Sequence, residues 1–238
     1  TGQVLIGRVW NKSGKTVFPD FTNPNATEYW FRQLQRLHSQ VAFDGAWIDM
    51  NEISNFVDGS LYGCPKNELE NPPYVPGNQK LQNDSLCMSA KHYAGVQYNI
   101  HNLYSTYETK VTNEALKKLR NNKRPFIISR STFSGQGHFG GHWSGDIFSN
   151  FVDMRYSIPF ILNFNMFGTP LVGADMCGFA GNTTVELCAR WMTLGAFYPF
   201  ARNHNDYDTI DQDPVSLGPT VVNASINALQ IRYMLLPY

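Results

Sequence analysis

Along this chain, short apolar runs that end in a polar residue alternate with stretches of helical period. That alternation constrains the fold more tightly than any other feature, because strand–helix–strand connections lead to a parallel sheet covered by helices. Residues 4–10 predict a first strand. A helix follows from about Pro24, with Asn23 as N-cap, and Trp30, Leu34, Leu37 and Val41 recur at helical spacing. Residues 45–50 predict a strand that runs into Asp49. A helix carrying Ile100, Leu103, Tyr107 and Val111 leads to a strand over 125–130, and a glycine-rich stretch over 135–145 leads to Asp146. Residues 170–175 predict another strand ending in acid. Thr183 and Glu186 form a capping box for a helix through Trp191 and Leu194. Residues 197–200 predict the last strand, and Val222, Ile226, Leu229 and Tyr233 mark a closing helix.

Trp10, Asp49, Arg130, Asp146, Asp175 and His204 all fall at or just beyond the C-terminal ends of predicted strands. A parallel (β/α)8 barrel keeps its chemistry on that face, as does a doubly wound sheet. The phosphate-binding Gly-x-Gly-x-x-Gly turn of the latter is matched in spacing only by Gly135, Gly137 and Gly140, which precede Trp143 and Asp146 instead of a helix. The expected fold is therefore α/β, a (β/α)8 TIM-type barrel. With about six predicted strands, the first strand or strands would lie upstream of Thr1. The whole of residues 1–238 reads as a single, partial catalytic-barrel domain. It carries a long Gly/Pro/Asn-rich insertion at about 57–90.

Nineteen basic and nineteen acidic residues cancel, so the chain lacks the electrostatic footprint of a nucleic-acid or anionic-membrane binder. A neutral substrate fits better. Aromatic residues reach 14%, and beyond core packing their flat faces suit the apolar C–H faces of sugar rings. No run of about 18 apolar residues crosses a bilayer, so any membrane anchor is expected in segments outside this chain. Cys64, Cys87, Cys177 and Cys188 form no Cys-x-x-Cys pair and no histidine pair stands at zinc spacing, so neither a metal nor an organic cofactor is expected. Four cysteines allow three pairings. The nearest-neighbour one, Cys64–Cys87 with Cys177–Cys188, would staple two loops. Asn-x-Ser/Thr sequons at Asn11, Asn25, Asn83, Asn182 and Asn223, together with the cysteines, point to the secretory pathway, lysosomal or extracellular.

Several acids at strand ends suggest carboxylate chemistry, and on spacing alone a glycosidase competes with a phosphatase or a metal-dependent hydrolase. Longer motifs separate them. Residues 47–52, Trp-Ile-Asp-Met-Asn-Glu, resemble the nucleophile signature of glycoside hydrolase family 31. The resemblance extends over Phe18-Pro19-Asp20-Phe21, Arg130-Ser131-Thr132-Phe133, His142-Trp143-Ser144-Gly145-Asp146, residues 173–179 and residues 197–205, in the family's order. It implies a retaining α-glucosidase in which Asp49 is the nucleophile and Asp146 the general acid/base, two carboxyls about 5 to 5.5 Å apart across the scissile bond. It implies that Arg130 borders the glucose subsite, that Asp175 and His204 grip the non-reducing glucose, and that Trp10, Trp47, Met50, Trp143 and Phe179 line the pocket. Glu52 holds the local network. A further glucose-binding Asp from an early strand has no match and is expected upstream of Thr1. The expected substrates are maltose, malto-oligosaccharides or glycogen ends, α-1,4-linked in the main and cut from the terminus. The alternatives are another α-glycoside, such as a xyloside, a galactoside or sucrose, or a non-catalytic sugar-binding homologue. Intact Asp49 and Asp146 argue against the last.

Overall fold

The computed structural model describes residues 2–10 and 13–238. Asn11, one of the expected glycosylation sites, lies outside them. Contacts gather the chain into two units, up to Gly140 and from Gly141 to Tyr238.

In the first unit, helix α1 (Ala26–His38) leads to strand β1 (Gly45–Ile48), and helix α3 (Tyr104–Leu119) leads to strand β4 (Phe126–Ser129). β1 and β4 are parallel, with Gly45 opposite Phe126 and Ile48 opposite Ser129. Side chains alternate across a strand. Ala46 and Ile48 of β1 therefore join Ile127, Leu116, Leu119, Leu34 and Phe43 in an apolar cluster between strands and helices. Each such buried Ile, Leu or Phe contributes roughly 1.5–3 kcal/mol. Trp47 and Asp49 fall on the opposite face, and Trp47 is still 37% exposed. A second cluster, Phe21, Ala26, Ile53, Leu86, Tyr104 and Val111, seats the start of α3.

Between β1 and α3 lies the long irregular segment. It ends in a small antiparallel ladder, β2 (Lys91–His92) with β3 (Gly95–Val96), followed by the single turn α2 (Gln97–Ile100). Cys64 and Cys87 are bonded across it. Glu70 is buried there, and its carboxylate accepts from Met88 N–H (3.0 Å), Ser89 N–H (2.8 Å) and Ser89 Oγ (2.6 Å). By loop-closure entropy, a cross-link over 23 residues stabilises by about 3 kcal/mol. Paired Cys64→Ser and Cys87→Ser substitutions should lower the denaturation midpoint accordingly, and an unchanged midpoint would show that hydrogen bonds such as those of Glu70 suffice to order this segment.

Three expectations in this unit are corrected. Residues 4–10 do not form a strand; Gly7 makes an isolated bridge to Thr16. The backbone there is claimed by the insertion instead, through Phe56 N–H to Arg8 O (2.8 Å) and Leu61 N–H to Ile6 O (2.9 Å), with Arg8 N–H donating to Asn55 Oδ1 (2.9 Å). The N-cap of α1 is Asn25, not Asn23. Asn23 accepts from Asn25 N–H (2.9 Å) in an Asx turn that delays the helix. Leu37, in the last turn of α1, and Val41, beyond its end at His38, are both exposed.

The second unit opens with β5 (Gly141–Trp143) and continues through α4 (Phe151–Met166), β6 (Val172–Gly173), β7 (Asp175–Met176), α5 (Val185–Gly195), β8 (Arg202–Asn203) and α6 (Pro219–Leu235). β5 pairs with β6 and β7 with β8, both parallel. Val172, Ala174, Met176, Leu187, Trp191, Met192, Tyr198 and Val221 form its core. Gly173 is required by packing: a Cβ there would stand 2.2 Å from Phe200 O. Helix α4 was not anticipated, since its polar residues Asp153, Arg155, Ser157, Asn163 and Asn165 are scattered around it and Pro159 lies inside it. It is started by Asn150, whose side chain accepts from Asp153 N–H (2.7 Å). The cap of α5 is Thr184, which accepts from Leu187 N–H (3.2 Å), and not Thr183. Residues 197–200 are not a strand either. The carbonyls of Ala196 and Pro199 accept from the Arg232 guanidinium at 2.8 and 3.1 Å, as does that of Tyr198, and ladder pairing begins only at Arg202.

Candidate active site

Asp49 follows β1 directly, and Arg130 follows β4. Their strands lie side by side, and Arg130 N–H donates to Ile48 O at 3.3 Å. Arg130 Nη1 stands 3.2 Å from Asp49 Oδ1. The same guanidinium grips Glu52 with two bonds, Nε to Oε1 at 2.8 Å and Nη2 to Oε2 at 3.0 Å, and its Nη2 also donates to Met50 Sδ at 3.1 Å. A bidentate arginine–carboxylate fork fixes orientation as well as charge. One oxygen of Asp49 also accepts from Met50 N–H at 2.7 Å. The turn is secured from beneath by Asn51, 3% exposed, which donates from Nδ2 to Ser129 Oγ (2.8 Å) and accepts at Oδ1 from Ser131 N–H (3.0 Å). Asp49, Met50 and Arg130 are thus brought together with Glu52, while Trp10 packs edge-on against Phe56 with ring centroids 5.2 Å apart.

In the second unit Asp175 heads β7, opposite Arg202 of β8. The Asp175 side chain is 1% exposed, and Arg202 Nη1 meets its Oδ1 at 2.7 Å. Phe179 stacks on the His204 ring at 5.3 Å. Asp146 follows β5 and is exposed, and the chain just after it is bound to the Phe179 segment: Ile147 O accepts from Phe179 N–H (2.7 Å) and Ala180 N–H (2.9 Å). Trp143 is 2% exposed, set within β5. Gly178, at φ +83°, has Ser149 Cα 2.4 Å from where a Cβ would sit, so only glycine lets these loops touch. Cys177 and Cys188 are bonded, tying the same loop to α5.

Among the described residues, six non-glycine residues have positive φ. Asp84, Asn121 and Asn122 are of types that tolerate it. Trp10, Met50 and Cys177 are not, and all three stand within or beside the motifs singled out above. Strained backbone of this kind collects where side chains are aimed for a task.

Of the remaining expected sites, Asn25, Asn182 and Asn223 are exposed and Asn83 is half-buried. Asn182 Oδ1 accepts from Ile210 N–H at 2.9 Å. Sequence reasoning passed over Arg202, the cation that balances Asp175, although it lies inside a quoted motif. The buried acid beside it was the available signal. It also passed over Asn51 as the support of the Asp49 turn.

A profile of the glycosyl hydrolases family 31 TIM-barrel domain matches residues 1–238. The chain is 54% identical over 240 residues to lysosomal alpha-glucosidase of Rattus norvegicus, covering all of this chain and 25% of that protein. It is 47% identical to intestinal sucrase-isomaltase of Homo sapiens, over 98% of this chain and 13% of that protein. The crystal structure of the family 31 alpha-glucosidase from Bacteroides thetaiotaomicron superposes with a TM-score of 0.76 at 31% identity, over 100% of this chain and 34% of that one. The chain thus spans a quarter or less of the length of these two sequence relatives. With strand-end acids, parallel pairs and motifs all in agreement, the chain belongs to glycoside hydrolase family 31 and has the fold of its TIM-barrel domain.

Proposed function

We propose that this chain is the catalytic part of a retaining, exo-acting α-glucosidase that removes terminal α-linked, mainly 1,4-linked, glucose from maltose, malto-oligosaccharides or glycogen. The observation that carries this reading is the carboxylate of Asp49 at a strand end, steadied by its own turn and faced by Arg130 at 3.2 Å. Asp49 attacks the anomeric carbon of the terminal glucosyl unit while Asp146 gives its proton to the departing oxygen. Asp146 then takes a proton from water, which releases glucose with its α configuration retained. Asp175 accepts from sugar hydroxyls, with Arg202, Phe179 and His204 in the same group of residues. A buried carboxylate that expects two hydroxyls rejects a sugar lacking one, since a group is then left unpaired. Trp10, Trp47, Met50 and Trp143 are assigned to sugar contact. The relatives are named as lysosomal and intestinal enzymes, and two disulfides fit the oxidising lumen of the secretory pathway.

A glucose-configured epoxide, opened by the nucleophile, should label the peptide that carries Asp49 with one equivalent, seen by mass spectrometry. Nitrophenol should be released from the α-glucoside far faster than from the α-xyloside. An unlabelled Asp49 peptide in an enzyme that hydrolyses the glucoside would refute the assignment. Preference for the xyloside would move the substrate, not the mechanism.

A further inference from the structure

We propose that Asn83 carries an N-linked glycan whose first sugar, an N-acetylhexosamine, seats in a cavity beside the Glu52 turn and ties the insertion to the segment that follows β4.

The first unit holds a cavity of about 500 Å³, a size typical of small-molecule sites. Its walls come from the turn at 52–54, from residues 83–85, from the turn at 101–102 and from the 131–133 segment. Four stretches remote in sequence thus meet around one space. Asn83-Asp84-Ser85 is a sequon, and the half-buried Asn83 stands in the wall. The backbone beneath it is firmly held. Asn83 N–H donates to Lys80 O (3.1 Å) and Ser85 N–H to Gln82 O (3.1 Å), while Ser85 O accepts from Asn55 Nδ2 (3.0 Å) and Gly59 N–H (3.0 Å). The side chains of Asn83 and Ser85 take no part in these bonds, so a sugar on Asn83 Nδ2 disturbs none of them.

The lining suits an uncharged sugar that bears an amide. Phe133 is 47% exposed and pairs with no other ring among the described residues. Its face fits the apolar C–H side of a pyranose. Ser54, Asn102 and Thr132 offer hydroxyl and amide groups that have no hydrogen-bond partner among the described residues, and these can meet an acetamido group and ring hydroxyls. His101 commits Nδ1 to Tyr98 O at 3.1 Å and keeps Nε2. Of the acids in the wall, Glu52 has both oxygens on Arg130 and Asp84 is exposed to solvent, so neither calls for a cationic ligand. Asn83 also borders a second cavity of about 470 Å³, but that one presents Asp58, Lys66 and Lys80 and no aromatic ring. A free sugar would bind such a polar hollow weakly. One fixed to its wall is present at an effective concentration of about millimolar or more, so modest contacts hold it. Asn102 and Phe133 are exposed, which leaves the mouth open for the rest of the glycan to reach solvent.

The test uses the full-length enzyme secreted from cells that N-glycosylate. Peptide mass spectrometry should find Asn83 glycosylated in most molecules. Ser85→Ala removes the sequon but keeps Asn83 and the backbone bonds, and should lower the thermal midpoint by about 2–4 °C. Ser85→Thr restores the sequon and should melt as wild type. Phe133→Ala should lower the midpoint clearly in the glycosylated enzyme and much less in the Ser85→Ala background, since the ring has then lost the sugar it covers. Additive shifts in that cycle would mean that the glycan hangs free, and would overturn the seat. Should Phe133→Ala not fold, an amidase that cuts the bond between Asn83 and its sugar decides. Release from the native enzyme at least tenfold slower than from the denatured chain supports the seat, and equal rates overturn it. An unmodified Asn83 in the wild-type enzyme, or Ser85→Ala melting as wild type, overturns the proposal and leaves the glucosidase reading intact.

Discussion

Asp49→Asn should yield a folded enzyme that hydrolyses α-glucosides about 10⁴-fold more slowly or worse, because the covalent route is closed and no other carboxylate can replace it. The amide keeps the shape of the carboxylate, so the two bonds between Arg130 and Glu52 remain and the thermal midpoint should move little. Glu52 is no substitute nucleophile: both of its oxygens are occupied by the guanidinium. A further diagnostic separates lost chemistry from lost structure. With Asp49→Gly, azide can enter the space of the missing carboxylate and attack a glucosyl fluoride from the face opposite fluoride, giving β-glucosyl azide. Asp146→Ala should instead let azide intercept the ester on Asp49, giving the α-azide, with an intrinsic loss of about 10²–10⁴-fold on substrates with poor leaving groups. Both variants giving the same anomer would show that the two roles are wrongly divided. Wild-type activity in Asp49→Asn would end the mechanism outright.

Arg202→Met should cost on the order of 3–5 kcal/mol of stability, the usual consequence of stripping one member from a buried ion pair. The Asp175 side chain is 1% exposed and would be left without the guanidinium that stands 2.7 Å away. Such a loss is a large part of the roughly 5–15 kcal/mol that holds a domain together. The loss should be smaller when Asp175→Asn is added, since a neutral amide can be buried where an unpaired carboxylate cannot. Activity should not recover in the double variant, because the amide no longer offers sugar hydroxyls a charged acceptor. Thermal melts of the four proteins, with KM for maltose, check this. Additive melting shifts would mean that Arg202 and Asp175 do not act as a pair.

The strand-end positions of Asp49 and Arg130 were legible because each follows a short apolar run, and a run of that kind has few ways to fold; the run 170–175 instead breaks after Gly173, and Asp175 opens the next strand. The pairing of Gly45–Ile48 with Phe126–Ser129 follows from the same pattern. Residues 4–10 misled for a tertiary reason. They are as apolar as a strand, but the 55–61 segment takes their hydrogen bonds singly. Helix α4 was overlooked because polar residues scattered around it, with an internal proline, leave no helical stripe to detect. The shift from Thr183 to Thr184 shows that two adjacent threonines both satisfy a capping pattern, and only geometry chooses between them. Asn51 was invisible as a support: an amide just past a strand end reads as solvated until Ser129 and Ser131, 78 and 80 positions away in sequence, are seen to bind it. Partnership across such spans, more than residue type, is what a linear reading lacks.

The double grip of Arg130 on Glu52 has a consequence for the second half of the reaction. In the proposed mechanism Asp49 surrenders its charge on becoming a glucosyl ester, and the arginine, also bound to Glu52, has no reason to swing away. It stays beside the ester oxygen, ready to receive the carboxylate that hydrolysis sets free. The leaving group of the deglycosylation step therefore departs toward a cation that never had to be repositioned.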